Sequence, residues 1–300
     1  MAARYAKNQP AGFPNRIERV AIIGGCAGGQ MGRHLTKHLL DIGKHVVTAI
    51  TRPESTTALP DGLQVLRVDY CNDDQTELVA ALRGQQVLLI TMSVIAPRDT
   101  VVKLVRAAAE AGVPYVLPNW YGHDPSNEAL CRDSMLLVAR DQIDAEAQRL
   151  GRISILRLAC NFWYEFSLGG GPDRYGFDSQ NRIFTIFGDG NSYRMTSTTS
   201  QLLFPTFATR QSTYPVSAFR SGTWESAEKR WAEGQAAIQE GNWHAFTKML
   251  YSRMFFTAGD GVYEAKGLYN EMLDLPIEDL DEATSVGIRM GAAGEVPFSH

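Results

Sequence analysis

The chain has few cysteines and no long apolar run. Its 300 residues include four cysteines, and no two of them form a Cys-x-x-Cys pair. Scattered cysteines in a chain of this length are typical of reduced thiols, which predicts a cytoplasmic location. Apolar runs such as Val87–Ile90 are far shorter than the ~18 residues of a membrane span. The first residues also lack the apolar core of a signal peptide, so we expect no membrane partner.

The sequence also lacks a surplus of charge of either sign. It has 29 basic and 33 acidic residues, for a net charge of −4. Without a basic surplus, nothing in the charge favours nucleic acid as the main partner. A Gly-x-Ser-x-Gly elbow is missing as well, so a hydrolase is unsupported. The hydrophobic fraction of 44% and the charged fraction of 21% are those of a globular protein and exclude a disordered chain.

Short apolar runs alternate with amphipathic stretches in the first half of the chain. The runs are β-branched and continuous, as expected for parallel strands that are buried on both faces. They are Val20–Ile23, Val46–Ile50, Leu63–Val68, Val87–Thr91, Tyr115–Leu117 and Ile153–Leu158. The predicted helices are Gln30–Ile42, Gln75–Leu82, Thr100–Ala111 and Ser134–Leu150, and each ends at or near a glycine. This alternation predicts an α/β fold with a doubly wound parallel sheet.

The regular alternation stops near Leu158, and a different kind of sequence follows. We expect an N-terminal extension over residues 1–16, a dinucleotide-binding domain over 17–160 and a smaller, α+β, substrate-binding region over 161–300. The segment Asn161–Asp178 is rich in aromatic residues and glycine, which favours an irregular segment that lines a pocket. Further helices are predicted at Glu225–Gln239, Trp243–Tyr251 and Leu273–Met290.

A glycine-rich loop joins the first strand to the first helix. It runs from Gly24 to Gly32 as GGCAGGQMG. Glycines in this place let the backbone approach a pyrophosphate, whose charge then lies at the helix N-terminus. The spacing departs from the usual pattern, because the expected first glycine falls on Cys26 and not on Gly25. The predicted cofactor-binding residues here are Gly25, Gly28, Gly29, Gln30, Met31 and Gly32.

The ends of the next strands predict how the dinucleotide is held. The second strand ends at Thr51 and Arg52, where NAD-specific sites usually carry a carboxylate. An arginine in its place suits the 2′-phosphate of NADP(H), although a solvent-facing arginine is the alternative. Asp69 would lie near the adenine. Met92 and Ser93 would lie along the middle of the cofactor, and Asn119 would either bind the nicotinamide ribose or stabilise a turn.

Several segments together resemble fungal members of the NmrA-like/isoflavone reductase-like family, which are atypical short-chain dehydrogenases/reductases. These segments are GGCAGGQMGRHL, HVVTAITR, LRVDY, GVPYVLPNWYG and NFWYEFSLGGGPDRYGFD, and the similarity resumes in KMLYSRMFF and GLYNEMLDLPIEDLDE. The resemblance implies a Rossmann domain that binds NADP(H), with a C-terminal substrate domain. Enzymes of this family reduce plant phenolics or fungal metabolites by hydride transfer. Other members sense the NADP state and regulate a partner protein.

Two features depart from the family pattern. The catalytic lysine that the resemblance implies falls on Arg140, and arginine stays protonated, so it cannot act as a general acid or base. Arg140 could still bind an enolate as a fixed charge, or it could simply pair with Asp144 on the helix surface. The segment between residues 200 and 225 is short and unlike the family, which predicts a remodelled substrate pocket.

Aromatic residues supply the remaining catalytic candidates. Tyr121 and Tyr164 follow the fifth and sixth strands, where a phenol could donate a proton to a developing oxyanion, although packing roles are the alternative. The predicted substrate cleft consists of Trp120, Tyr121, Phe162, Trp163 and Tyr164, unless these residues form core packing. His123 and Asp124 would form either an acid–base pair or a surface loop.

These observations predict an NADPH-dependent oxidoreductase that acts on a small aromatic or polyketide-like metabolite of secondary metabolism. A small-molecule substrate is therefore the expected partner, and homo-oligomer formation stays open. The alternatives are a non-catalytic NADP(H)-sensing regulatory protein and a cofactor-dependent isomerase or cyclase. No metal site is predicted.

Overall fold

The computed structural model describes residues 17–24, 30–93, 96–97, 99–188, 190, 197–198, 221–263 and 279–296. The predicted N-terminal extension, the cofactor-binding glycines Gly25, Gly28 and Gly29, and most of the atypical 200–225 segment lie outside these residues. The side chain of Gln30 also lies outside them. Within the described ranges, none of the helices has the length and apolar character needed to cross a bilayer.

The chain divides into two compact units. The first holds the described residues up to Trp120 together with Val138–Leu158, and the second holds Tyr121–Leu137 and the described residues from Ala159 onward. The segment Tyr121–Leu137 therefore groups with the C-terminal part of the chain, whereas the sequence analysis assigned it to the dinucleotide-binding domain.

The first unit contains a six-stranded parallel sheet. Its strands are β1 (Arg19–Gly24), β2 (Val46–Thr51), β3 (Gln64–Arg67), β4 (Val87–Thr91), β5 (Tyr115–Leu117) and β6 (Ser154–Ile155). The helices are α1 (Gln30–Ile42), α2 (Thr76–Leu82), α3 (Thr100–Ala111) and, after α4 (Glu128–Asp133) of the second unit, α5 (Leu137–Leu150). The strand order is β3-β2-β1-β4-β5-β6, and all neighbours are parallel. The prediction of a doubly wound parallel sheet is confirmed.

The central strands of this sheet consist of continuous apolar runs, as expected for strands that are buried on both faces. Ile22 and Ile23 of β1 and Leu88 and Ile90 of β4 are all completely buried. Helices α1, α2, α3 and α5 are each followed by a glycine with positive φ, at Gly43, Gly84, Gly112 and Gly151. A glycine reverses the chain there without the steric cost that a Cβ would add.

The prediction that every strand is buried on both faces is wrong at β3. All four residues of β3 are exposed, including the apolar Val65 and Leu66. The reason is topological, since β3 pairs with β2 alone and forms one edge of the sheet. Strand β6 forms the other edge and has two residues, whereas six were predicted.

The long helix predicted over Ser134–Leu150 is interrupted at its start. The separate short helix α4 ends at Asp133, with Ser134 as its capping residue, and α5 begins at Leu137. Between them Met135 adopts a φ of 63°, which a helix does not permit. This break lies where the chain passes from the second compact unit back to the first.

The second unit mixes short strands with helices. The strands are β7 (Phe162–Trp163), β8 (Phe177–Asp178), β9 (Ile183–Phe187), β10 (Ser197–Thr198) and β11 (Ser221–Glu225). The helices, besides α4, are α6 (Tyr164–Gly169), α7 (Ala227–Gln239), α8 (Ala245–Met254) and α9 (Leu280–Ala293). Strand β10 pairs with β7, and β9 pairs with β11 in parallel and with β8 antiparallel. The helix predicted from Leu273 is described only from Asp279 onward, where the Asp279 side chain caps α9.

Glycine lets helices of the second unit pack closely. A Cβ on Gly169 of α6 would lie 2.7 Å from the carbonyl oxygen of Gly287 on α9. A Cβ on Gly234 of α7 would likewise lie 2.8 Å from the Cβ of Met249 on α8. Side chains at these positions would push the helix pairs apart, so glycine is required for packing and not for turning the chain.

Candidate functional site

The carboxyl ends of strands β1 to β5 form the candidate site in the first unit, which we call the strand-tip site. At its centre Gly24 ends β1 with a φ of 104°. A Cβ on Gly24 would lie 2.7 Å from the Thr91 carbonyl oxygen and 3.0 Å from the Met92 nitrogen at the end of β4. The Thr91 hydroxyl donates to the Ile23 carbonyl at 3.2 Å and ties the two strand ends together. No other residue type fits this conformation and this space.

Helix α1 begins at Gln30, shortly after this glycine. Met31 and Gly32 lie in its first turn and are buried. The backbone N–H groups of a first helical turn have no partner within the helix, and the helix dipole favours an anion at this end. The described residues on either side of the glycine-rich loop therefore form the strand end and the helix start between which a phosphate-binding loop lies in folds of this kind.

The tip of β2 carries the residues predicted to bind the adenosine end of the cofactor. Thr51 is buried, and after it Arg52 opens a tight turn that Ser55 closes by donating its N–H to the Arg52 carbonyl at 3.1 Å. The Arg52 side chain is exposed and pairs with Glu54, with 3.2 Å between Nε and Oε1. Arg67, at the end of β3, donates to the carbonyls of Pro53 and Ser55 at 3.2 and 2.9 Å.

Sequence reasoning missed Glu54 and Arg67. Arg67 lies directly beside Thr51 in the parallel register of β2 and β3. The position of Arg67 beside Thr51 follows from the pairing register of β2 and β3, which the sequence does not show. Glu54 follows the last residue of β2 by three positions and lies inside the turn, away from the strand tip where a ribose-binding carboxylate was sought.

The remaining strand tips each present one predicted residue. The Asp69 carboxylate after β3 accepts from the Cys71 N–H at 3.1 Å, which forms a local turn. After β4, Met92 is half-buried and Ser93 is exposed. After β5, the Asn119 amide donates to the Met92 carbonyl at 3.0 Å. Asn119 thus links the ends of β4 and β5, and its contact with the nicotinamide ribose stays a prediction.

Arg140 lies in the first unit near the start of α5. Its Nε and Nη2 both donate to Asp141, at 2.9 and 2.7 Å, and its side chain is mostly buried. The predicted partner Asp144 instead pairs with Arg157 at 2.8 Å. Arg157 also lies over the Trp120 ring, 5.7 Å from its centroid. The alternative in which Arg140 pairs with Asp144 is therefore wrong: Asp144 forms its ion pair with Arg157, and Arg140 pairs with Asp141.

Tyr121 and Tyr164 both belong to the second unit. Tyr121 is buried, and that burial raises the pKa of its phenol well above the usual value. The Tyr164 phenol lies 2.8 Å from the Thr284 Oγ1, and Thr284 donates its own proton to the Leu280 carbonyl. Tyr164 must then be the donor to Thr284, and this hydrogen bond links α6 to α9. Burial raises the pKa of Tyr164 as well.

The predicted aromatic cleft residues do not all have the same environment. Phe162 is buried and stacks on Tyr251, with ring centroids 3.8 Å apart. Phe162 belongs to the hydrophobic core of the second unit, which also includes Leu130, Leu168, Tyr175 and Met254. Trp163 is half-buried and contacts Phe166 at a centroid distance of 5.9 Å. For Phe162, the core-packing alternative describes the observed position.

His123 and Asp124 are buried, so the surface-loop alternative is wrong. The Nε2 of His123 lies 3.3 Å from the Ser134 Oγ, and burial lowers the pKa of His123 to about 4. The Asp124 carboxylate accepts from the Ser126 N–H and hydroxyl, at 2.8 and 2.7 Å. The Tyr263 phenol accepts from the Asp124 N–H at 2.8 Å. These bonds order the loop after β5.

A buried arginine stabilises the same region. Arg253 of α8 is almost fully buried and donates to Asp133 at 2.6 Å and to Asp260 at 2.8 Å. Asp260 also accepts from the Asn127 side chain at 2.7 Å. The network joins residues 127–133 to residues 253–260, and its two links between these segments span 120 and 133 residues of chain, which is why no local pattern revealed it. Among the described residues, no group of three His, Cys, Asp or Glu could hold a metal ion.

The fold and the strand-tip site define a class of protein. A six-stranded parallel sheet of this order, with a close-packed glycine between the first strand and first helix, is a Rossmann-type dinucleotide-binding fold. Residues 26–126 match a family model described as NAD(P)H-binding. The chain therefore contains an NAD(P)H-binding domain, and the cofactor class predicted from the sequence is confirmed.

Individual proteins extend this comparison. The oxidoreductase aprR of Aspergillus flavus is 34% identical over 111 residues, which are 36% of this chain and 35% of that protein. The match thus spans about a third of that relative's length. Two solved structures are similar over 90% and 89% of this chain and 99% and 98% of their own. They are an isoflavone reductase (TM-score 0.65, 19% identity) and the Escherichia coli NADPH-dependent quinone oxidoreductase complexed with NADPH (TM-score 0.60, 18% identity).

The structural likeness covers both compact units of the chain. The resemblance to the NmrA-like/isoflavone reductase-like family is thereby confirmed at the level of the fold and of the NAD(P)H-binding domain. At these identities the similar structures carry information on the fold and not on the substrate.

Proposed function

We propose that the chain is an NADPH-dependent oxidoreductase that reduces a small aromatic or polyketide-like metabolite of secondary metabolism in the cytoplasm. The observation that carries the cofactor part is the close approach of Gly24 to Thr91, 2.7 Å from a built Cβ, at the start of the loop into α1. In the Rossmann-type fold, a glycine packed in this way precedes the loop that places a pyrophosphate at the helix N-terminus. The A. flavus relative, which is called an oxidoreductase, supports the reaction class.

The preference for NADPH is supported by the tip of β2. Arg52 is exposed in a turn that is closed by hydrogen bonds, so a phosphate at the adenosine end can reach its guanidinium by replacing the Glu54 carboxylate. Arginine binds phosphate through two parallel N–H donors, and this geometry favours a 2′-phosphate over a ribose hydroxyl.

We also propose that the two domains have different roles. Residues 17–160 would bind NADP(H), and residues 161–300 would supply side chains that contact the substrate. Trp163 is the aromatic residue of the second unit that supports this proposal best, because it remains half-buried while Phe162 and Tyr164 are used in packing.

Nucleotide binding tests the cofactor part. Titration of the purified chain with NADPH and with NADH, followed by nicotinamide fluorescence, should give tighter binding of NADPH. Arg52→Ala should weaken NADPH binding about tenfold or more, which is the loss of a charge-assisted bidentate contact, and leave NADH binding nearly unchanged. Equal affinities of the wild-type chain for the two nucleotides, or an Arg52→Ala variant with unchanged affinities, would refute the NADPH assignment.

Turnover tests the reaction class. NADPH oxidation in the presence of phenolic and enone compounds should be measurable by nicotinamide absorbance. The variant Arg140→Lys places the general acid–base group that the resemblance implies at that position, and turnover should rise in it. Tight NADPH binding with no turnover in either form would contradict an oxidoreductase.

A non-catalytic NADP(H)-sensing protein is the second candidate, and the environment of the predicted catalytic residues favours it. Arg140 pairs with Asp141, and Tyr164 donates its proton to Thr284. Burial raises the pKa values of Tyr121 and Tyr164, which makes both phenols weaker acids. The absence of turnover, combined with a different affinity for NADPH and NADP⁺, would support this candidate.

A further inference from the structure

Two groups that the proposed function does not use contact the turn after β2: Glu54, within the turn, and Arg67, at the end of β3. Glu54 places its carboxylate 3.2 Å from the Arg52 Nε. Arg67 holds the backbone of the turn through the Pro53 and Ser55 carbonyls. All of these residues lie in the first unit, at the adenosine end of the strand-tip site.

We propose that Glu54 and Arg67 determine how strongly the site prefers NADP(H) over NAD(H). This inference rests on the proposed function, in which Arg52 binds the 2′-phosphate. Glu54 is an internal competitor for Arg52, and Arg67 is a positioning residue that fixes the turn from which Arg52 projects.

The competition follows from charge. In the free protein, the Glu54 carboxylate neutralises the guanidinium that a 2′-phosphate would bind. When NADPH enters, the phosphate must replace this carboxylate on Arg52, and the remaining negative charge of Glu54 repels it. NADH has no 2′-phosphate, so its binding does not involve this exchange. Glu54 therefore lowers the affinity for NADPH selectively.

The positioning role follows from geometry. One nitrogen of Arg67, Nη1, donates to two carbonyls that flank Glu54 in the chain. The register of β2 and β3 places Arg67 beside Thr51, so the arginine extends from a paired strand and not from a loop. A turn held from the neighbouring strand keeps Arg52 near one position before the nucleotide arrives, which reduces the ordering cost of binding.

The decisive variant gains affinity. Glu54→Gln keeps the size of the side chain and removes its charge. We expect it to bind NADPH about two- to fivefold more tightly, the range of an exposed ion pair, and to bind NADH as the wild type does. The gain should shrink at high salt, because exposed charges are screened. Asp61→Asn, an exposed carboxylate in the same β2–β3 connection, is the matched control and should change neither affinity.

Two further variants separate the parts of the proposal. In an Arg52→Ala background, Glu54→Gln should give a smaller gain than in the wild type, because the competition for Arg52 is gone and only the repulsion between the carboxylate and the phosphate remains. Arg67→Met should lower NADPH affinity about fivefold, the effect of two lost hydrogen bonds, with NADH affinity unchanged. Equal losses of both affinities would instead assign Arg67 a purely structural role and overturn its part of the proposal.

The outcomes distinguish this inference from the proposed function. If the wild-type chain binds neither nucleotide, the proposed function fails. If the wild type prefers NADPH but Glu54→Gln leaves that preference unchanged, only the present inference fails. If Glu54→Gln weakens NADH binding, Glu54 is a ribose-binding carboxylate and the competition is refuted.

Discussion

The interiors of the two compact units differ in what they bury. Among the described residues of the first unit, Glu146 is the one charged residue that is buried. The buried charged or ionisable polar residues of the second unit include His123, Asp124, Glu165, Arg174, Arg230 and Arg253. The sheet of the first unit satisfies its backbone within the ladders and fills its faces with apolar side chains. The second unit has short strands and irregular segments, so many of its buried backbone N–H and C=O groups lie outside strand hydrogen-bond ladders. Side chains must supply hydrogen-bond partners for these groups.

Arg253 shows how strongly the second unit depends on such groups. We expect Arg253→Ala to lower the free energy of unfolding by about 3 kcal/mol, because Asp133 and Asp260 lose the cation that neutralises them. Urea denaturation of the whole chain measures the effect. Arg253→Lys, which keeps the charge but not both contacts, should lose less. A loss below 1 kcal/mol for Arg253→Ala would remove the contrast between the two units.

Gly24 tests whether the first unit has a comparably sensitive position. Gly24→Ala should lower the free energy of unfolding by about 2–3 kcal/mol, since it combines a strained φ with a Cβ 2.7 Å from the Thr91 oxygen. Nucleotide binding should be lost with it. Gly112→Ala is the matched control, because Gly112 has a φ of 83° and no described atom within 4 Å of its built Cβ.

The control has its own expectation. Gly112→Ala carries the backbone strain alone and should cost about 1 kcal/mol without affecting the nucleotide. Equal losses of unfolding free energy for the two substitutions would mean that the close approach of β1 and β4 does not add to the cost of Gly24→Ala.

His123 makes the stability of the second unit depend on pH. Its folded pKa of about 4 lies below the ordinary value of 6.5, chiefly because burial disfavours the charged form. Between these values the unfolded chain binds the proton and the folded chain does not, so stability falls as pH decreases from 6.5 towards 4. The loss from pH 6.5 to pH 5 should be roughly 2 kcal/mol from this group.

A His123→Gln variant isolates that contribution. Its stability, measured by urea denaturation across the same pH range, should depend less on pH than that of the wild type. Parallel curves for the two proteins would show that His123 is not buried in its neutral form.

Arg149 gives the smallest expected effect and completes the comparison. Its side chain is 63% exposed, and Glu146 also has Arg106 as a partner at 2.6 Å. Arg149→Ala should therefore cost about 0.5 kcal/mol or less. The two arginines lower the pKa of Glu146 to about 2, so Glu146 remains charged throughout the accessible pH range. A cost similar to that of Arg253→Ala would show that ion pairs contribute equally in both units.

The first unit could be predicted closely because its signals are local. The apolar runs Val87–Thr91 and Tyr115–Leu117 match β4 and β5 residue for residue, and Gln30–Ile42 and Thr100–Ala111 match α1 and α3. The exposure of β3 could not be predicted, because whether a strand lies at an edge depends on strand order and not on its own residues.

The candidate site was predicted in part. The structure places five predicted residues at or just after strand ends, at the carboxyl edge of one sheet: Thr51, Arg52, Asp69, Met92 and Asn119. Their contacts with a nucleotide remain predictions. Arg67 and Glu54 were missed because their influence on Arg52 depends on a strand register and a turn.

The sequence by itself determined the doubly wound sheet, the glycine-dependent loop after β1 and the class of cofactor. Each of these depends on the order of residues within a few turns or one strand, where periodicity and backbone freedom act directly. Only the tertiary structure decided that Tyr121–Leu137 belongs to the second unit, that Tyr164 donates to Thr284 and that Arg253 neutralises Asp133 and Asp260. A buried polar group is stabilised only by a hydrogen-bonding or charged partner that the fold places beside it. Such partners can be far apart in the sequence, so the local sequence does not predict which residues will pair.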